Sequence, residues 1–398
     1  MKVNLNNLKI LRLLVALLII DALAFSSGIT LTNKAINNEP ENTANNTQAR
    51  EESKEIKETY CLGEVIKIIS DVEEELPGGN KQRAQHLLLK IVSGPDKGKE
   101  RATLNIVPDN PGFAISGEVG RKYLITKIEN LSTRYEDYFI VDYYREYLIW
   151  FLFGFFLVIL VLISGTKGIR TIISLLCTIA LIAFLLIPLI NRGINPLLSA
   201  ILVSILATGI TMLLVAGANV KSLSSTLGTG IGVAISGLIA TIVIKLAPLS
   251  GLASSEAMIL WGNEFHHINF KGLLAAGMIV ACLGAIMDVA ISIASSIQEI
   301  KIANPKYSTK ELFTSGMNIG KDIMGTMTNT LVLAYTGMAL PLLLLISYER
   351  DISKFLNLEL VVSEITAAIA GSIGLIISVP ATAIIMSWLV NKKSSKII

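Results

Sequence analysis

The sequence predicts an α-helical membrane bundle, with about seven core spans and an N-terminal signal anchor. A small exported all-β domain accompanies it, a barrel or sandwich with the OB type among its forms. Three observations point there. The 398 residues are 52% hydrophobic and only 16% charged, with a mean hydropathy of +0.61, whereas soluble domains carry about 25% charged residues. Long apolar runs fill the chain beyond Glu146. Between Tyr60 and Tyr144 the pattern is instead short β-type runs broken by Gly/Pro/Asn/Asp turns.

Residues 1–29 open with Lys2, Lys9 and Arg12, followed by the apolar run Leu13–Ile20 and Asp21-Ala22-Leu23-Ala24. A cleaved signal peptide and a retained signal anchor both fit, and the anchor is favoured. Residues 30–58, rich in Asn, Glu, Thr and Lys, read as a flexible polar tether. Residues 59–146 form the exported β domain, with strands expected at 61–69, 86–92, 100–106, 122–128 and 138–143. Residues 147–398 form the transmembrane domain, with spans expected at 147–164, 170–190, 196–217, 223–247, 272–295, 323–346 and 361–390. The stretch Leu246–Lys271 is too polar to span and is expected at the interface.

Counting Lys and Arg sets an orientation. With the N-terminus inside, Lys167, Arg170, Lys221, Lys301, Lys306, Lys310, Lys321, Lys392, Lys393 and Lys396 are cytoplasmic. The short outer connections keep only Arg192, Lys271, Arg350 and Lys354. Residues 30–146 are then extracytoplasmic and the C-terminus cytoplasmic.

Two acids stand out. Asp288 lies inside an apolar span, where an aspartate costs roughly 2.5–3.5 kcal/mol on insertion scales. Asp322 opens the next one, at a similar expected depth. Around Asp288, the residues Gly277, Ala281, Gly284, Ser292 and Ser295 recur at intervals of three and four. Asp322, Thr326, Asn329, Leu333 and Thr336 do the same. Both stripes are expected to turn away from lipid, which offers polar groups no partner. Asp288, Asp322, Asn329, Ser292 and Thr326 thus form a candidate ion or substrate site, in which carboxylates supply charge and neutral oxygens complete a hard-ion shell. Asn318, Ser295 and Glu364 are secondary candidates. A simpler reading makes Asp322 an N-cap and Asp288 a helix–helix hydrogen-bonding group.

Other marks exclude more than they assign. Cys61, Cys177 and Cys282 offer neither a disulfide framework nor a metal cluster, and no cofactor is expected. Gly228, Gly230, Gly232 and Gly237 lack the Gly-Lys-Ser/Thr ending of a phosphate loop and read as close helix packing, as do Ala367, Gly371 and Gly374. There is no HExxH, no Gly-x-Gly-Asp and no Ser/His pair at compatible depth, so an intramembrane enzyme is the least favoured class. A net charge of +3 gives no sign of nucleic acid.

The block Leu283–Ser295, with Asp288 at its centre, and the block Glu311–Tyr335, with Asp322, closely resemble the YibE/F-like family of bacterial multi-pass membrane proteins. Lys167-Gly168-Ile169-Arg170 and the exported Glu74–Gly79, Ser93–Gly98 and Val141–Arg145 are similar to it as well. The resemblance implies a multi-pass bundle and a bacterial source, and brings no activity with it. From the residues, the leading function is a transporter or permease coupled to protons or a metal cation, working on a small ion or small molecule across the lipid bilayer. The alternative is a non-transporting scaffold or sensor whose β domain binds an envelope protein.

Overall fold

The computed structural model describes residues 56–75, 81–110, 112, 114–130, 135–262, 265–346 and 351–394. The expected signal anchor and the tether up to residue 55 lie outside the described residues. The described residues divide into two compact units, those up to residue 159 and those from residue 160 on.

In the first unit, five strands form one curled antiparallel sheet: β1 (Ile56–Glu75), β2 (Lys81–Ile91), β3 (Glu100–Pro108), β4 (Lys122–Asn130) and β5 (Tyr135–Tyr143). Their order is β3-β2-β1-β4-β5. β1 begins within the stretch expected as tether and outruns the expected 61–69, because it serves two partners. Its first part pairs with β4 and its second with β2, across register shifts at Val65/Lys67 and Ile68/Ser70. Such bulges bend a strand, and the bend brings the outer strands together. Thr103 on β3 donates to the Tyr138 carbonyl on β5, and Arg101 pairs with Glu136 at 3.8 Å. The result is a half-barrel whose inward positions, Val65, Leu87, Leu89, Ile91, Tyr123, Ile125 and Tyr138, form its core.

A helical run then extends from Glu146 to Asn191. It comprises α1 (Glu146–Leu181), a π-helical turn (Ile182–Leu186) and α2 (Ile187–Asn191). Two spans were expected here. Gly165, at φ 57° and ψ −133°, separates two helices across a sharp kink, in a conformation open to glycine alone, and a Cβ on Gly168 would lie 2.6 Å from the Leu160 carbonyl oxygen.

Beyond it lie α3 (Pro196–Val215), α4 (Val220–Leu246), α5 (Ser255–Gly262), α6 (Phe270–Ala303), α7 (Thr309–Met338), α8 (Leu340–Ile346), α9 (Ile352–Leu356) and α10 (Glu359–Ser394). Among the described residues, five helices are long and apolar enough to cross a membrane: the Glu146–Asn191 run, α3, α4, α6 and α10. The count differs from the expected seven for two reasons. The first two spans fall in one run, and the sixth, at 323–346, is divided between a polar α7 and the short α8. The expected 296–321 loop is largely helix, since Ser308 and Glu311 form a reciprocal capping box that starts α7 at Thr309. The interfacial segment holds only α5, which buries no residue. Its approach is pinned by Glu359, whose carboxylate accepts from the Ser250 and Gly251 N–H groups at 2.7 and 2.9 Å.

The bundle's closest packing joins α4 and α10, which run antiparallel. A Cβ on Gly232 would lie 2.7 Å from the Gly374 carbonyl oxygen, and one on Gly374 would lie 2.6 Å from that of Gly232. Thr382 sits over Gly228, Ser378 over Gly232 and Ser236 over Gly374. The register extends to fully buried Ala240 and Ala370 and to Ser224, whose hydroxyl donates to Met386 Sδ at 3.0 Å. Small residues at every fourth position on both helices let the backbones meet. α6 fills the neighbouring groove with Ile279, Ile286, Ile293 and Ile297, all fully buried.

Candidate functional site

The α6–α7 hairpin carries the two aspartates, and its register follows from three contacts. Gly316 lies against Ile297, Gly320 against Ile293, and Leu331 and Cys282 meet over Gly371. Continuing this antiparallel register puts Asp288 level with residue 325 and Asp322 level with residue 291. The two acids differ in height by about three residues, or about 4.5 Å along the axis.

Their setting differs from the expected one. Asp322 is an interior residue of α7 rather than an N-cap, because the helix begins at Thr309. Both stripes lie on outer faces. Gly277, Ala281, Gly284 and Asp288 are exposed on α6, with Ser292 and Ser295 half-buried beside them; Asp322, Thr326, Asn329, Leu333 and Thr336 are exposed on α7, as is Asn318. A Cβ on Gly277, Gly284, Gly325 or Gly337 would meet open space. The reason is volume: the branched residues of α6 supply the knobs that α4, α7 and α10 require, so the small and polar residues are left outside.

The hydroxyls of the site bond to their own helices. Ser292 donates to the Asp288 carbonyl at 2.8 Å, and Thr326 to that of Ile323 at 3.0 Å. Among the described residues, neither the Asp288 nor the Asp322 carboxylate has a hydrogen-bond or ion-pair partner, and no three His, Cys, Asp or Glu side chains cluster as metal ligands. Glu364 is half-buried in α10, away from the aspartates and within electrostatic reach of Tyr335. The Tyr335 hydroxyl is buried and has no hydrogen-bond partner among the described residues. The YibE/F-like protein family matches residues 152–392.

This chain belongs to the YibE/F-like family. The matched stretch holds both aspartates, Glu364 and the α4/α10 contact, while the β domain lies before it. The β-domain motifs that resemble the family therefore fall outside the match, and Lys167–Arg170 falls within. No curated protein and no solved structure matches the chain.

The β domain of this YibE/F-like chain holds a charged cluster that sequence reading missed. The Lys127 ammonium is buried and bonds Asp96 at 2.6 Å, Glu136 at 2.9 Å, and Glu129. Asp96 also accepts from Lys99 at 2.6 Å and from the Tyr138 hydroxyl at 2.7 Å. Hydrogen bonds from Lys127, Lys99 and Tyr138 hold the Asp96 carboxyl well below the usual carboxylate range. Burial works against the Lys127 ammonium, but its bonds to Asp96, Glu129 and Glu136 outweigh that and raise its pKa. The cluster joins the 93–98 turn to β4 and β5, and its groups are used up in binding one another. One signal was available: Lys127 falls on the inward register of β4, two residues beyond Ile125.

Proposed function

We propose that this membrane protein is a transporter coupled to protons or a metal cation through Asp288 and Asp322. The observation that carries the reading is the pair of partnerless carboxylates at nearly one level of a packed helix hairpin. Acids inside spans are expensive and mark ion or substrate pathways. Asn329, Thr326 and Ser292 lie beside them and offer neutral oxygens. The outer faces of α6 and α7 then form one polar wall of the pathway, with Glu364 toward its extracytoplasmic end. In this reading the Glu146–Asn191 run crosses twice about Gly165 and the α7–α8 segment crosses once, giving seven spans with residues 30–146 outside and the C-terminus cytoplasmic.

The test is flux. The full-length protein and its Asp288→Asn and Asp322→Asn variants are reconstituted in vesicles carrying an internal pH dye, and tracer uptake of divalent metals is followed in parallel. Each substitution is expected to lower flux at least about tenfold, in line with the loss of a charged group within a membrane. Full flux in the double variant, with unchanged folding, would overturn the reading.

A second reading has its own support. With β3 touching β5, the strands form the ring 1-2-3-5-4, the order of an OB barrel, a fold that presents a binding face. A scaffold or sensor that binds an envelope partner through this domain predicts mutational intolerance on exposed β-domain residues and tolerance at the two aspartates.

A further inference from the structure

Where the half-barrel runs into α1, an open cleft of about 880 Å³ is lined by Glu118, Arg121, Lys122, Tyr143, Tyr144 and Arg145, and ends at Tyr147 and Leu148. Three cations thus face it with one carboxylate. The cations are held in place. Arg121 and Arg145 lie over the Tyr143 ring, 5.6 and 5.2 Å from its centroid. Their guanidinium groups are oriented by Glu118 at 2.9 Å and Asp142 at 2.8 Å. Lys122 has no acidic partner among the described residues. Tyr143 packs on Tyr123, and Tyr144 on Tyr147, with centroids 5.4 and 5.8 Å apart.

The floor of this cleft becomes the first turn of α1, where Tyr147, Leu148, Ile149, Trp150, Phe151 and Leu152 are all exposed. A girdle of Tyr and Trp followed by exposed apolar side chains marks the headgroup level of a bilayer. Guanidinium and ammonium groups at that level recognise phosphate, Arg by its fork and Lys as a point charge.

We propose that this cleft is a binding site for the phosphodiester headgroup of an anionic lipid, whose acyl chains lie along the exposed face of α1. Arg121, Lys122 and Arg145 hold the phosphate, and the Tyr144/Tyr147 pair flanks the glycerol backbone. The continuity of the cleft with α1 favours a lipid over a free phosphate, since a soluble anion would gain nothing from the apolar wall.

The test titrates the purified full-length protein in detergent with short-chain phosphatidylglycerol, short-chain phosphatidylcholine and inorganic phosphate. Bound lipid is read by native mass spectrometry and tyrosine fluorescence. Phosphatidylglycerol is expected to bind more tightly than phosphatidylcholine, and to weaken by about fivefold for each cation removed. The Arg121→Gln/Lys122→Gln/Arg145→Gln variant then loses about a hundredfold. Because Arg121 and Arg145 also support local structure, Lys122→Gln alone is the control: it removes no ion pair and is expected to keep the melting temperature while losing about fivefold in affinity. Equal binding of the two lipids, or unchanged phosphatidylglycerol affinity in Lys122→Gln and the triple variant, overturns the proposal. Displacement of the lipid by millimolar inorganic phosphate would identify a soluble anion as the ligand and overturn it as well.

Discussion

Lys127 brings one ammonium to a point where Asp96, Glu129 and Glu136 converge, and it is buried while doing so. Removing one partner from a buried ionic cluster strands the others, at a cost of about 3–5 kcal/mol. Lys127→Met should therefore accelerate hydrogen exchange of the β4 and β5 amides in the full-length protein. The cluster also fixes a pH window. A carboxyl whose folded pKa is lowered stabilises the fold above its unfolded value of about 3.9, and that contribution fades as pH falls through the folded value. An ammonium whose pKa is raised does the reverse, contributing below its unfolded value of about 10.4 and losing that contribution as pH rises through the folded one. The cluster's own contribution should thus be level between about pH 4 and pH 10, and Asp96→Asn should reduce the acid-side dependence of the β domain, leaving the part carried by Asp71, whose carboxyl Arg83 and Gln85 also hold below the usual range. Urea unfolding followed at several pH values checks both. Lys127 was legible as an inward residue from strand alternation. Asp96 was not: within Gly94-Pro95-Asp96-Lys97-Gly98 an aspartate reads as a solvated turn residue, and only the curl of β1 carries that turn over the barrel end. Asp288 and Asp322 were legible because an acid in or at the edge of an apolar run is conspicuous. Which way they faced was not, since a stripe of small residues serves equally as a packed or an open face.

Among the elements, α4 and α10 carry the sharpest structural expectation. A Cβ on Gly232 would meet backbone and side-chain atoms of α10 and Ile286 of α6 within 3.0 Å. Backbone cannot swing aside as a side chain can, so Gly232→Ala should cost about 1–3 kcal/mol. Gly277→Ala, on the open face of α6, should leave the melting temperature in detergent unchanged. Thermal denaturation of the two variants side by side makes the comparison. The close packing was readable from the glycine spacing, and the structure adds which helix answers which. The start of α7 was readable too, since Ser308-Thr309-Lys310-Glu311 is a capping box in sequence. The lysines around it are no bar to helix, since a solvated helix face accepts them. The break at Gly165 was readable as well: glycine and charged residues between two apolar runs mark a turn, and a residue with positive φ separates the two helices there.

At the scale of the whole molecule, the proposed orientation rests on lysines. A single cysteine placed at Lys306, between α6 and α7, should react with a membrane-impermeant thiol reagent only after the cytoplasmic side is opened. One placed at Lys97, in the β domain, should react in intact cells. The opposite pattern would invert the topology. The native thiols interfere little, since Cys61 and Cys282 are buried and Cys177 is partly so. The division into a β unit and a helical unit was legible from composition alone, because alternation and turn signals stop near Tyr144 and apolar runs begin. The number of crossings was less so, because hydropathy reports how much apolar helix a chain holds and leaves open where one span yields to the next.

The pairing of α4 with α10 also bears on how the protein is made. Ser224 and Met386 lie 162 residues apart in sequence, so the closest-packed seam of the bundle cannot form until its last described helix has been synthesised and inserted. Until then the glycine face of α4 stands uncovered in the bilayer, with α3 and α6 as its neighbours among the described helices. α10 is in this sense a keystone. A chain cut short before Glu359 would lack the partner that completes the bundle, and cellular quality control would meet it as an unfinished assembly with an open seam.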